Sequence, residues 1–219
     1  MTNRYAATPF SPLESAALDW LDGFYQLEHL LSTRYWVTIL APAASPALKF
    51  AALVHDAERF FPGGPSGDAR AGFDDCDYLF AHSIRSANIV EAWLRGPAKT
   101  QDETFIKHVR KLILRHEIGG NSEEDILQAA DSLAFLDAFD WLIASWVRQN
   151  HVSPDQAREK LDWSVERIRP PTARRLALPL YSKILEALDP AKNIDIASRK
   201  AEAGDCRRLI GLRGKRFFL

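Results

Sequence analysis

Polar side chains able to hold a metal ion or move a proton occur in this 219-residue chain at positions where packing alone does not require them. His55 and Asp56 lie inside the run AALVHDAERFF, residues 51–61, in which Ala, Leu, Val and Phe predominate. A buried carboxylate is costly unless it is paired or bound to a metal. Taken alone, the dipeptide favours a structural His–Asp pair over a functional site.

Helical geometry separates the two histidines of the segment 100–119. At about 100° per residue, His116 falls in the middle of an apolar stripe and is expected to face inward, whereas His108 falls at the polar edge and is expected to be solvated. For His116, the alternative is a core histidine satisfied by one hydrogen bond. The stripe consists of Phe105, Val109, Leu112 and Ile113.

Two further candidates lie on other predicted helices. Asp131 has apolar neighbours at helical spacing, where an unpaired Asp would take up a proton or destabilise the fold, so a cation or a histidine partner is expected. His82 shares a helix face with Ser86, Ile89 and Trp93, which leaves room beside the imidazole, although an ordinary buried histidine explains it equally well. Nitrogen and oxygen ligands without thiolate suit iron, manganese, cobalt, nickel or zinc better than calcium. The candidate ligand set is completed by His55, Asp56 and His116.

Helices must position these residues, because hydrophobic spacing is helical nearly everywhere and no stretch alternates like a half-buried strand. The sequence therefore predicts an all-α fold. Start signals occur at Ser11-Pro12 with Glu14, at Ser45-Pro46, at Thr100 with Glu103, and at Asn121 or Ser122. The predicted helices span about residues 12–40, 47–61, 77–95, 100–118, 121–147, 154–168 and 172–188. Gly23 can introduce a bend in the first of them.

Composition indicates one globular unit. Hydrophobic residues make up 47% of the chain and charged residues 26%, which is enough for a substantial core. The net charge of -1 gives no global attraction to nucleic acid or to an anionic membrane. Cys76 and Cys206 form no metal-type pair, and the sequence has neither a signal-like start nor a long apolar run. We therefore expect a cytoplasmic protein without a disulfide framework or a membrane span.

The order and intervals of these residues resemble the HD superfamily of metal-dependent phosphohydrolases, which is named for an adjacent His–Asp pair of metal ligands. Four strings carry the resemblance, LKFAALVHDAERFF, FAHSIRSANIVEAWL, LILRHEIGG and LQAADSLAFLD, and it spans about residues 27–147. It implies a single HD-type helical bundle that binds one or two divalent transition-metal ions. By position, Asp56 would bridge an ion held by His29, His55 and Asp131 to a second ion held by His82 and His116.

The chain departs from common family patterns in two places. Many members carry acidic residues on both sides of the alanine before the last ligand, whereas here Gln128-Ala129-Ala130 precedes Asp131. Members that act on nucleoside monophosphates tend to carry a Glu three positions beyond the His–Asp pair, whereas Glu58 is two beyond Asp56. The second difference counts against a specific nucleotidase activity.

Basic residues near the predicted ligands form a candidate phosphate-binding collar, with solvated helix faces as the alternative. Arg59 lies one turn beyond His55 and is the first candidate. We expect Asp56, Glu58 and Arg59 to be the catalytic residues. The predicted substrate-binding residues are Arg59, Arg85, Lys111 and Arg115.

The sequence thus predicts an enzyme, a metal-dependent phosphohydrolase that cleaves a phosphomonoester, a phosphodiester or a nucleotide with metal-activated water. Two alternatives stay open, a di-iron oxygenase similar to inositol oxygenase and a non-catalytic HD-like sensor or scaffold. Residues 1–150 are the predicted metal-binding core, and residues 151–219 supply C-terminal helices and a basic tail. From Arg199 onward the tail has seven basic and two acidic residues. Packing on the core or on a second subunit is favoured over nucleic-acid binding.

Overall fold

A computed structural model describes residues 4–65, 74–96, 101–188 and 195–210, and within these ranges the chain is helical and contains no strand. The all-α prediction is therefore confirmed. Short 3-10 helices cover Arg4–Ala6 and Ala57–Phe60. The α-helices of the described ranges are α1 Pro12–Trp20, α2 Leu27–Leu40, α3 Pro46–Val54, α4 Cys76–Leu94, α5 Glu103–Arg115, α6 Ser122–Ala138, α7 Asp140–Arg148, α8 Pro154–Glu166, α9 Pro171–Ala187, α10 Ile196–Ala203 and α11 Cys206–Leu209.

Side-chain caps account for the starts of several helices. The Ser11 hydroxyl accepts a hydrogen bond from the Glu14 backbone N–H, and the Glu14 carboxylate accepts one from the Ser11 N–H at 2.7 Å, which closes the predicted capping box of α1. Asn121 and Glu124 form the same reciprocal pair at the start of α6. The predicted cap of α5, Thr100, lies outside the described residues. Asp102 caps that helix by accepting from the Phe105 N–H at 2.8 Å.

Two predicted long helices are each divided in the structure. The segment predicted as one helix over residues 12–40 forms α1 and α2, and between them Gly23 adopts a left-handed conformation at φ +84° that glycine tolerates best. The segment predicted over residues 121–147 is divided at Phe139 into α6 and α7. This second break places the ring of Phe139 against His29, with centroids 4.7 Å apart.

α3 ends at Val54, earlier than the predicted limit at residue 61. Side chains satisfy the carbonyl oxygens that a longer helix would use. His55 Nδ1 donates to the Ala52 oxygen at 3.0 Å, and the Ser86 hydroxyl donates to the His55 oxygen. The His–Asp pair therefore lies at a helix end, where both side chains can point into the same space.

α6 is the central helix of the bundle. It packs against α2, α3, α5, α8 and α9, and nearly all of its residues from 127 to 138 are buried. Leu161, Ile184 and Leu209 from the C-terminal helices belong to the same continuous core as the residues of α1 to α7. The part of the basic tail that contains Arg213, Lys215, Arg216, Phe217 and Phe218 lies outside the described residues. None of the helices described is both long enough and apolar enough to cross a membrane.

Candidate metal centre

The predicted ligands converge in the interior of the bundle. His55, His82 and His116 are completely buried, and His29 is 2% exposed. Three overlapping groups each bring one donor atom per residue within 4.8 Å of the others, so each group can hold a metal ion. The groups are His29, His55 and Asp131; His55, Asp56 and His116; and His82, His116 and Glu117.

Asp131, on α6, joins the histidines of α2 and α3. Its Oδ1 atom lies 3.1 Å from His29 Nε2 and 3.3 Å from His55 Nε2. His29 Nε2 also lies 4.0 Å from Asp56 Oδ2. The structure therefore brings together the four residues that the resemblance assigns to the first ion.

Asp56 lies between this group and the remaining histidines. Its Oδ1 atom is 2.8 Å from His82 Nε2, 3.7 Å from His116 Nε2 and 3.8 Å from His55 Nε2. Glu117 adds a third carboxylate, with its Oε1 atom 3.6 Å from His116 Nε2 and 4.0 Å from His82 Nε2. One oxygen of Asp56 is thus near histidines of both predicted ions, the position expected for a bridging ligand.

Hydrogen bonds orient three of the four imidazoles. His55 Nδ1 and His116 Nδ1 donate to backbone carbonyl oxygens three residues earlier, at 3.0 Å and 2.7 Å. His82 Nδ1 donates instead to the carboxylate of Glu58 at 2.8 Å. These bonds place a proton on Nδ1 and turn Nε2 toward the cluster, which is the usual orientation of metal-binding histidines. His29 differs, because its buried Nδ1 has no hydrogen-bond partner among the described residues.

Each of the three carboxylates gives its second oxygen to an arginine. Asp56 Oδ2 accepts from Arg59 Nε at 3.1 Å, and Asp131 Oδ2 accepts from Arg167 Nη2 at 2.6 Å. Glu117 Oε2 accepts from the other terminal nitrogen of Arg167. These buried charge-assisted bonds leave the inner oxygens of all three carboxylates turned toward the imidazoles.

Burial and neighbouring charges set the protonation states of the cluster. Burial raises the pKa of Asp131, but Arg167 and the adjacent imidazoles outweigh burial and hold it well below its usual range. Burial lowers the pKa of His116 to about 4, so this imidazole is neutral at pH 7. Burial also lowers the pKa of His55, but the carboxylates of Asp56 and Asp131 outweigh it and raise that pKa to about 9. A metal ion bound beside His55 would take the place of its proton.

The donor set fits a divalent transition metal. His116 Nε2 is buried and has no hydrogen-bond partner among the described residues, which is costly unless a ligand satisfies it. Imidazole nitrogens and ionised carboxylate oxygens lie around that atom, and no thiolate belongs to any of the three groups. This combination is typical of iron, manganese, cobalt, nickel and zinc sites.

A cavity of about 400 Å³ adjoins the cluster, a volume within the range of small-molecule sites. The lining includes four of the cluster residues, His29, Asp56, Glu117 and Asp131. Beside them are Arg59, Lys160, Arg167 and the hydroxyl of Tyr78, which accepts from Arg59 Nη1 at 2.8 Å. Ligand atoms and cationic side chains therefore face one continuous space.

Only part of the predicted phosphate-binding collar borders the cavity in the structure. Arg59 lines the cavity, but Lys111 and Arg115 do not. Both pair with Glu124, with nitrogen–oxygen distances of 3.3 Å and 3.5 Å. The rotation of α5 that turns His116 inward leaves these two side chains on the outer face, so the structure does not bring them to the cavity, and their predicted role in substrate binding stays a prediction.

Arg85 and Glu58 are also placed differently from the prediction. Arg85 Nη1 donates to Glu58 Oε2 at 2.6 Å, while Glu58 Oε1 accepts from His82 Nδ1. Neither residue is among the described lining of the cavity. The structure thus gives them a contact that orients His82, and their predicted catalytic and substrate-binding roles stay predictions.

Three side chains of the site were missed by the sequence analysis. Glu117 directly follows His116 in the string LILRHEIGG, and this adjacency was the available signal. Lys160 lies on α8 and Arg167 immediately follows that helix, both beyond the span of the resemblance. No local motif distinguishes them from other basic residues, because their approach depends on how α8 packs against α6.

Comparisons with known proteins give no match to this chain among family models, curated proteins or solved structures.

Proposed function

We propose that this chain is a metal-dependent phosphohydrolase with an HD-type arrangement of ligands. The observation that carries the proposal is the convergence of four buried histidines and three carboxylates from distant parts of the chain beside a cavity lined by cationic side chains. Perturbed titratable groups gathered in a cleft are typical of functional sites. The donor set favours a transition metal, and the cations favour an anionic substrate.

The ligand residues would be His29, His55, Asp56, His82, His116, Glu117 and Asp131. A bound divalent cation would supply Lewis-acid polarisation of a phosphoryl oxygen and a water of lowered pKa. The protein's own part is to keep the carboxylates ionised and to turn Nε2 of His55, His82 and His116 toward the shared centre. Arg59 and Arg167 border the cavity and are placed to orient the phosphoryl group of a substrate.

Measurement of metal content per chain tests the premise. Wild-type protein is expected to retain one or two equivalents of iron, manganese, cobalt, nickel or zinc after gel filtration, whereas His55→Ala should lose at least one equivalent. His108→Ala is the matched control, because the His108 imidazole is 36% exposed and pairs with Glu123 on the surface. Circular dichroism of all three proteins separates loss of metal from loss of fold.

Release of phosphate tests the activity. The metal-loaded protein is expected to hydrolyse phosphate esters, and His55→Ala should lose at least about 100-fold in kcat/KM, since even outer partners of metal ligands are worth 10–100-fold. The proposal would be overturned if the protein bound metal stoichiometrically but hydrolysed no phosphomonoester, phosphodiester or nucleotide. Substrate-dependent oxygen uptake by the iron form would favour the oxygenase alternative, and failure to bind metal would favour a scaffold.

A further inference from the structure

The lining of the cavity also includes a set of apolar side chains. Along α6 and α7 they follow Asp131 at spacings of three or four residues, and Phe139 among them stacks on His29. Val152, from the loop before α8, also lines the cavity. We call these residues the apolar wall: Phe135, Phe139, Leu142, Trp146 and Val152.

The cationic side chains lie beside the metal-binding cluster. Arg59 and Arg167 are held there by their bonds to Asp56 and Asp131. The Nζ atom of Lys160 lies 5.3 Å from the ring centroid of Phe135, so this cation also contacts the apolar wall. The lining of the cavity is therefore amphipathic, because it combines metal ligands and cations with a large hydrocarbon surface.

Few polar groups are available along the apolar wall to recognise a sugar or a base. Gln26, the one carboxamide in the described lining, is three residues before His29 in the chain, and its amide nitrogen already donates to the Tyr25 hydroxyl. His151 also belongs to the lining but is exposed. A ribose or nucleobase buried there would leave its own polar groups unpaired, which is costly, whereas an apolar group would gain from burial.

We propose that the substrate is a phosphate monoester of an apolar alcohol, whose hydrocarbon part packs on the apolar wall while its phosphate faces Arg59, Arg167 and the cluster. This inference rests on the proposed phosphohydrolase function. In the reaction the oxygen of a water molecule bonds to phosphorus and the ester P–O bond breaks. The leaving alcohol takes up one proton, so the products are the free alcohol and inorganic phosphate.

A chain-length series tests the proposal with metal-loaded wild-type protein. The substrates are methyl, propyl and hexyl phosphate, with glycerol phosphate, ribose 5-phosphate and adenosine monophosphate as polar references. Burial of one methylene corresponds to about fourfold in kcat/KM. Hexyl phosphate should therefore exceed methyl phosphate by at least about 100-fold, and each polar reference should remain well below hexyl phosphate.

Substitutions in the wall locate the effect. Trp146→Ala and Leu142→Ala should each lower the ratio of hexyl to methyl phosphate kcat/KM, Trp146→Ala by at least about tenfold, because hydrocarbon contact is lost. The matched control is Trp93→Ala, since Trp93 is also half-buried but stacks on Trp20 at 4.9 Å, outside the described lining. This control should keep the wild-type ratio. Thermal unfolding confirms that each variant is folded.

The outcomes separate the two proposals. Hydrolysis that is equally fast for methyl and hexyl phosphate, or fastest for adenosine monophosphate, overturns the apolar-alcohol inference and leaves the phosphohydrolase proposal intact. An unchanged ratio in both wall variants also overturns the inference. No phosphate released from any ester by protein that binds metal overturns the phosphohydrolase proposal itself.

Discussion

The two oxygen atoms of each cluster carboxylate face different surroundings. On the inner side, Asp56, Glu117 and Asp131 face imidazole nitrogens supplied by α2 to α5. On the outer side, the same three carboxylates are bonded to Arg59 and Arg167. The inner side presents donor atoms to a shared centre, whereas the outer side presents fixed positive charge.

This difference explains how three carboxylates remain ionised in a buried cluster. Burial by itself would raise their pKa values, yet the pKa of Glu117 is lowered to about 2, because Arg167 and His116 outweigh burial. The outer arginines thus keep the carboxylates charged, and the inner oxygens stay available to a cation. Substitutions on the outer side test how the arginines keep the carboxylates charged, and substitutions on the inner side test how the cluster binds a cation.

The largest effect is expected for Arg167→Met, which removes the outer partner of two carboxylates. In chelator-treated protein the free energy of unfolding should fall by about 3 kcal/mol, because a buried charge pair is broken on one side only. Added manganese should then raise the melting temperature of the variant more than that of wild type, since the unpaired carboxylates gain more from a cation. Scanning calorimetry with and without metal measures both.

The control for Arg167→Met is Arg169→Met. Arg169 pairs with Asp125 at 2.6 Å, but its side chain is 54% exposed. Its replacement should change stability by less than about 0.5 kcal/mol. If manganese raised the melting temperature of Arg167→Met and of wild type equally, the outer and inner sides would not act on the same carboxylates.

A smaller effect is expected on the inner side for Glu58→Gln. The neutral amide should weaken orientation of the His82 ring and lower its basicity, so metal affinity should fall by about 10–100-fold. At saturating metal, kcat should stay close to the wild-type value, because Glu58 is not among the described cavity residues. Competition with a chromophoric chelator and steady-state kinetics give the two numbers.

Glu91→Gln is the matched control for Glu58→Gln, as Glu91 is also bonded to arginine but lies on the outer face of α4. It should leave both metal affinity and kcat unchanged. If Glu58→Gln lowered kcat while metal affinity stayed the same, the catalytic role predicted from the sequence would be right and the positioning role wrong.

The smallest effect concerns Lys160, a third cationic side chain that lines the same cavity as Arg59 and Arg167. Burial and Arg167 lower its pKa from 10.5 to about 8. The folded state therefore binds fewer protons than the unfolded state between these values, so the charged lysine reduces stability at pH 7 and the loss disappears as the pH rises to about 10.5.

Lys160→Met should therefore stabilise the chelator-treated protein by about 1–2 kcal/mol at pH 7, after allowance for solvent screening of a half-buried group. The gain should shrink between pH 8 and 10.5 in urea titrations. Lys107→Met is the control, because the Lys107 side chain is 73% exposed. A gain that does not change over this pH range would point to hydrophobic contact alone.

The sequence by itself determined the features that depend on near neighbours along the chain. Helical periodicity predicted the all-α class, and the capping box of Ser11 and Glu14 marked the start of α1 as the structure has it. The inward direction of His116 followed from its place in one apolar stripe. These predictions succeeded because they rest on contacts between residues three or four positions apart.

The tertiary structure alone decided which groups share the cluster and which are excluded from it. Arg167 reaches Asp131 across 36 positions, while Lys111 and Arg115, close to His116 in sequence, turn outward to Glu124. The end of α3 before His55 likewise depends on a hydroxyl from another helix, Ser86. No local pattern encodes these outcomes, because they depend on the packing of whole helices, which sets the distance between side chains far apart in the chain.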